Sequence, residues 1–282
     1  MAEQKWLLDG PKVIDLGVVR SLKVALVRGQ VDIVGHDEPT TRVEVHSVSG
    51  KDLRVSLDDA GQLEIDHPQL RWDNFIEVFR GFRGSARADV SVLVPRDIAL
   101  KFGTVSSTGL ISGLNSDAAI STVNGDLVID GLTGDITLNA VSGELAVQNH
   151  TGRIQAHAVN GDITASGAIS RFSSDGVSGD VYLDITGDPD EIRVNTVNGS
   201  ITTRLEAGRG ANYHINTVNG RIQLDDMELN GIRGSYDGRY GTLDGSFLDF
   251  RANTVNGSVA VVHRPATADA AATTDAPKRG RK

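Results

Sequence analysis

From Ile98 to Ser178 the chain repeats in steps of nine residues without a slip. Units begin at Gly125, Gly134, Gly143, Gly152 and Gly161, and the same frame runs back to Ile98 and on to Ser170. A period this short holds one short strand and one turn, so apolar surface can be buried only by stacking unit on unit. With a strand over the second to sixth residues of each unit, the third, fifth and eighth side chains share a face. Those slots are aliphatic almost throughout, as in Leu127, Ile129, Leu132 and Ile136, Leu138, Val141, with Gly109, His150 and Ser174 as the breaks. All three slots, including Val141, Val159 and Val177, are therefore expected to point inward.

A second period lies over the first. V-N-G or V-S-G ends at Gly125, Gly143, Gly161 and Gly179, every 18 residues, while the alternate corners read L-T-G, H-T-G and A-I-S. One full coil thus has two unlike sides, which predicts an all-β fold: a thin, β-helix-like β-solenoid of 18-residue turns stacked at about 4.8 Å. Asn-Gly also signals a hairpin meander, but a meander gives no reason for odd and even corners to differ. Glycine suits a corner where the backbone is left-handed or crowded. The corner amides Asn124, Asn160, Asn198, Asn219 and Asn256 can bond their own backbone or form a ladder from coil to coil.

The region divides into three. Residues 1–97 carry looser alternating strands, such as SLKVALV and TRVEVHSV, and are read as an N-terminal β cap covering one solenoid end. Residues 98–264 form the repeat region, in which TVNG returns at Gly199, Gly220 and Gly257 with an insertion over 227–253. Residues 265–282, ending PKRGRK, are read as a disordered basic tail.

Binding is expected where the rhythm fails. The insertion holds Arg233, Tyr236, Arg239 and Tyr240 among glycines, a recognition palette on an irregular loop; the same residues also fit an extra β-excursion packed on one face. The segment 70–87, LRWDNFIEVFRGFRGSAR, is read as an amphipathic plug of the core, with Arg80 and Arg83 as candidate partner contacts in the alternative reading.

Chemistry is sparse. With no cysteine there is neither disulfide nor thiolate, and the histidines show no metal-ligand spacing. The acids Asp117, Asp126, Asp135, Glu144 and Asp162 recur at the second position of the repeat, but without the GGxGxD pattern of calcium-binding nonapeptides they read as a solvated edge. No metal, cofactor or catalytic residue is expected. The best acidic cluster, Asp184, Asp188, Asp190 and Glu191, supports the alternative of a carbohydrate-active β-helix enzyme with a carboxylate groove. The net charge of -9 argues against general nucleic-acid binding. No stretch approaches the length of a membrane span, and no export signal is read, so the expected location is the cytoplasm.

The TVNG corners, preceded by the alternating strand ADVSVLVPRDIAL, resemble a bacterial β-strand-repeat family of unknown function labelled putative adhesin. The resemblance implies a repetitive β fold without assigned catalytic residues. The resulting expectation is a non-catalytic scaffold that binds a protein or glycan partner through its irregular loops, with self-association through the solenoid ends as a further possibility.

Overall fold

The computed structural model describes residues 3–68, 86–225, 227–229, 234–243 and 245–265, and within them every regular element is a β-strand. The strands are β1 (Gln4–Leu8), β2 (Lys12–Leu16), β3 (Ser21–His36), β4 (Thr41–Ser49), β5 (Leu53–Leu57), β6 (Gln62–Asp66), β7 (Arg87–Pro95) and β8 (Ala99–Ser112). Through the strict repeat run β9 (Ala118–Asn124), β10 (Leu127–Asp130), β11 (Ile136–Ser142), β12 (Leu145–Asn160) and β13 (Ile163–Ser178). Next come β14 (Val181–Ile185), β15 (Glu191–Asn198), β16 (Ile201–Leu205), β17 (Ala211–Asn219) and β18 (Ile222–Leu224). The last four are β19 (Met227–Leu229), β20 (Gly234–Tyr240), β21 (Leu248–Asn256) and β22 (Val259–His263).

The pairing is that of a β-solenoid. Each coil contributes one strand before its V-N-G corner and one after it, making a first and a second face of parallel strands. In the strict repeat, residues 18 apart are neighbours: Leu100 pairs with Ala118, Ile136 with Ile154, and Leu145 with Ile163. The core is the narrow space between the faces. Ile120, Leu138, Ala156 and Phe172 from the first face meet Ile129, Val147, Ala165 and Leu183 from the second, all at 1% exposure or less.

Not every slot points inward. Val141, Val159 and Val177 lie 40–47% exposed, against the expectation that the eighth position is buried. The strand's alternation places Ala140 and Ala158 inside, so the next residue faces water as the chain enters the corner. At the opposite corners, Leu114 and Leu132 do turn inward and close the narrow edge of the core.

Crowding explains the glycines at the V-N-G corners. A Cβ on Gly143 would stand 2.3 Å from the carbonyl oxygen of Gly125, and one on Gly161 would stand 2.0 Å from that of Gly143. Gly143 also has a φ of +125°, but Gly161 has no left-handed φ, so the close approach of successive coils is the shared cause. The amide ladder also forms: Asn219 Nδ2 donates to Asn256 Oδ1 and Asn256 Nδ2 to Asn198 Oδ1, both at 2.8 Å.

At the N-terminal end β3 is itself a coil, spanning both faces and pairing in parallel with β8. Outside it, β6 continues the first face and β7 the second. Antiparallel strands finish each face, β5 then β1 on the first and β4 then β2 on the second. The chain between β6 and β7, over 69–85, lies outside the described residues, and so do 266–282.

The C-terminal end departs from chain order. β21 pairs with both β15 and β17, and β22 with both β16 and β18. The last coil in sequence therefore sits between the two that precede it. β20 then covers β17 in antiparallel fashion, and β19 pairs with β18.

Candidate binding site at the C-terminal cap

β18 ends in Asp225, a non-glycine residue with a φ of +50°. In that left-handed turn its carboxylate reaches β22. Oδ1 accepts the backbone N–H of His263 at 2.7 Å, and Oδ2 lies 2.9 Å from His263 Nδ1. The other ring nitrogen, Nε2, lies 3.1 Å from the hydroxyl of Tyr213 on β17. An ionised Asp225 holds the proton on Nδ1, so Nε2 of a neutral imidazole accepts from the phenol. The ring of Tyr240 on β20 stacks on His263, with centroids 3.8 Å apart and planes 6° from parallel.

Around this chain of contacts lies a pocket of about 340 Å³, lined by Asp225, Met227, Tyr236, Arg239, Tyr240 and His263 together with Tyr213 and Leu224. The antiparallel register builds it. Tyr236 stands opposite Ile215 and Tyr240 opposite Ala211, two inward positions, so both tyrosines fold over the open end of the core and pack against it. Arg239 alternates to the other side, stays exposed, and still reaches the rim.

Of the residues singled out from the sequence, the structure thus brings Tyr236, Arg239 and Tyr240 together. Arg80, Arg83 and Arg233 lie outside the described residues. The stretch read as an insertion over 227–253 is shorter as an irregularity, because Leu248–Asn253 belong to β21 and stack directly on β15. Sequence reasoning missed Asp225, His263 and Tyr213. The one available signal was the lone acid and the lone histidine placed just past two equivalent strands, and nothing local says that those strands are neighbours.

The pocket presents aromatic faces, one carboxylate and one guanidinium, which suits binding better than proton transfer. Burial, with Asp225 as a second cause, pushes the Tyr213 phenol well above its ordinary range, so it remains a neutral hydroxyl near pH 7.

The acidic cluster is spoken for by arginines. Asp184 is clasped by Arg204 and Arg264, and the hydrogen bond from Arg204 holds its carboxyl below the usual range. Arg209 pairs with Asp188 at 3.1 Å and Asp190 at 3.3 Å, while Glu191 lies 3.3 Å from Arg171 and 2.8 Å from Arg193. Among the described residues, no group of three or more His, Asp or Glu side chains could hold a metal ion.

The repeating acids at the corners have a structural task. Asp117 Oδ1 accepts the backbone N–H of Asp135, Asp126 that of Glu144 and Asp162 that of Asp180, at 2.8–2.9 Å. Each carboxylate ties one coil to the next.

A family model described as Toastrack DUF4097 matches residues 19–261. The chain belongs to this Toastrack family. The match covers the coils from β3 to β22 and includes the cap pocket. Solved structures similar to this Toastrack chain include a putative cell adhesion protein from Clostridium sporogenes, 14% identical, covering 90% of this chain and 100% of that one, with a TM-score of 0.25. A putative adhesin from Bacteroides fragilis is also 14% identical, covers 89% and 97% of the two chains, and has a TM-score of 0.47. A putative lipid binding protein from Parabacteroides distasonis is 10% identical, covers 90% and 99%, and has a TM-score of 0.45. No curated protein matches the Toastrack chain. Among its described residues, no helix is long and apolar enough to cross a membrane.

Proposed function

We propose that this Toastrack chain is a non-catalytic β-solenoid scaffold that binds a protein or glycan partner through its C-terminal cap. The observation that carries the reading is the convergence of Tyr236, Arg239 and Tyr240 with Asp225 and His263 on one pocket, at the place where the repeat is broken. Aromatic rings offer a stacking surface with few side-chain rotors to order, and the adjacent guanidinium and carboxylate fix orientation by hydrogen bonds. The coils behind it hold the pocket on a rigid base.

The arginine pairing of Asp184 and Glu191 favours this reading over a carbohydrate-active enzyme, since a general acid needs a carboxyl pushed up rather than down. Release of reducing or unsaturated ends from a polysaccharide panel, lost in Asp184→Asn, would overturn it.

The direct test compares the full chain with Arg239→Glu on a glycan array and in capture from host lysate. Arg239 is exposed, so the variant keeps the fold, checked by circular dichroism. Binding should fall at least about tenfold, the size expected when a guanidinium contact is reversed in sign. Equal binding by the variant rejects the cap as the site.

A further inference from the structure

The valines displaced from the core form a ridge. In spatial order, Val141, Val159, Val177, Val197, Val255 and Val218 occupy six successive coils and are 40–60% exposed. At about 4.8 Å per coil the ridge runs about 24 Å. Its first part borders a groove of about 620 Å³ floored by Ala140, Ala158 and Gly176.

The ridge is flanked by positions from which charge is almost excluded. On the strand side stand Asn139, His157, Asp175, Asn195, Asn253 and Asn216; on the corner side the same coils carry only serine or asparagine. Asp175 is the sole carboxylate there, although 23% of the whole chain is charged. Loss of charge around an apolar centre is the compositional mark of an interface core.

The polar flanks are also largely satisfied among themselves. Asn216 donates to Asn253 and Asn253 to Asn195 at 2.7 Å, and Asn195 donates to Asp175 at 2.8 Å, while the corner amides form the second ladder already described. Amides paired in this way lose little when water leaves, because few are left seeking a new partner.

The spacing identifies the occupant. A ridge with one knob per coil is complemented by a surface whose gaps recur at the same interval, and this chain's own ridge is such a surface. We propose that two copies of this chain pack side by side through the valine ridge, each valine seating between two of the partner's. The contact is isologous, so it closes at two copies. Its modest length places it at the small end of specific interfaces, so association should be concentration-dependent in the micromolar range.

Sedimentation velocity of the full chain, from low to high micromolar concentration, tests this. The wild type should pass from monomer to dimer and stop there. Val159→Glu with Val177→Glu should raise the dissociation constant at least about tenfold, since each copy would bury unpaired carboxylates. Val159→Thr with Val177→Thr, nearly isosteric, should weaken association by less while keeping the circular dichroism spectrum. Three results would overturn the proposal: a wild type monomeric at every concentration, a dimer indifferent to both pairs of substitutions, or growth beyond two copies, which would mean stacking through the solenoid ends. A monomer whose ridge binds phosphatidylcholine vesicles, with binding lost in the glutamate pair, would assign the ridge to lipid and likewise reject the second copy.

Discussion

His150 takes an inward corner slot that Leu114 and Leu132 fill in the preceding coils. It is fully buried, and neither ring nitrogen makes a well-formed hydrogen bond. His67, at the end of the coil outside β3, is buried in the same manner. Burial disfavours the charged imidazole at both: it lowers the pKa of His150, and it lowers that of His67 to about 4. Below about pH 6.5 the unfolded chain takes up protons at these sites and the folded chain does not, so stability falls with pH until the folded pKa is reached. For His67 the loss amounts to about 2 kcal/mol at pH 5. Urea midpoints at pH 7 and pH 5 should therefore separate, and His150→Leu should narrow the gap. An unchanged gap would mean that His150 is solvated in the folded state. The sequence marked His150 as a break in the apolar pattern, but the depth of its burial depends on the coil above, which only packing supplies.

At the scale of the element, the corner acids show what a repeat can hide. Their recurrence after glycine was plain, and a solvated charged edge was the natural reading. In the fold each carboxylate reaches one coil forward and accepts a backbone N–H that the next corner leaves free. Asp162→Ala removes the acceptor of Asp180 N, bonded at 2.8 Å, and should lower stability by about 1 kcal/mol, measured as a shift of the urea midpoint. Faster hydrogen exchange at Asp180, with little change at distant corners, would place the loss at that one bond. β20 gives the converse lesson. Its tyrosines and arginine were recognisable as an irregular, recognition-rich stretch, but only its antiparallel pairing with β17 turns Tyr236 and Tyr240 onto the core and leaves Arg239 at the rim.

For the molecule as a whole, the decisive feature is the order of the last coils. β21 lies directly on β15, and Phe250 of β21 meets Tyr213 of the outer coil edge to face, with ring centroids 5.5 Å apart. Since coils interact mainly with their immediate neighbours, removing the outer coil and cap by joining Arg209 to Phe247 leaves a coil nearly as long as the one between Arg171 and Glu191. That shortened chain should fold with strand content intact and melt at a lower temperature, having lost the cover of β17 and β20. If β21 needed β17 beneath it, the same deletion would leave β21 and β22 without amide protection in hydrogen exchange.

The sequence by itself determined the solenoid: a nine-residue rhythm with alternating corners can bury its aliphatic side chains only by coiling, and glycine marks where successive coils touch. It could not determine which coil follows which, because the TVNG corners at Gly199, Gly220 and Gly257 are chemically interchangeable and any of them can stack on another. Tertiary structure settled that order by letting the chain turn back through β19 and β20 and lay its last coil inside the one before. That single exchange brings Asp225 to His263 and makes the pocket.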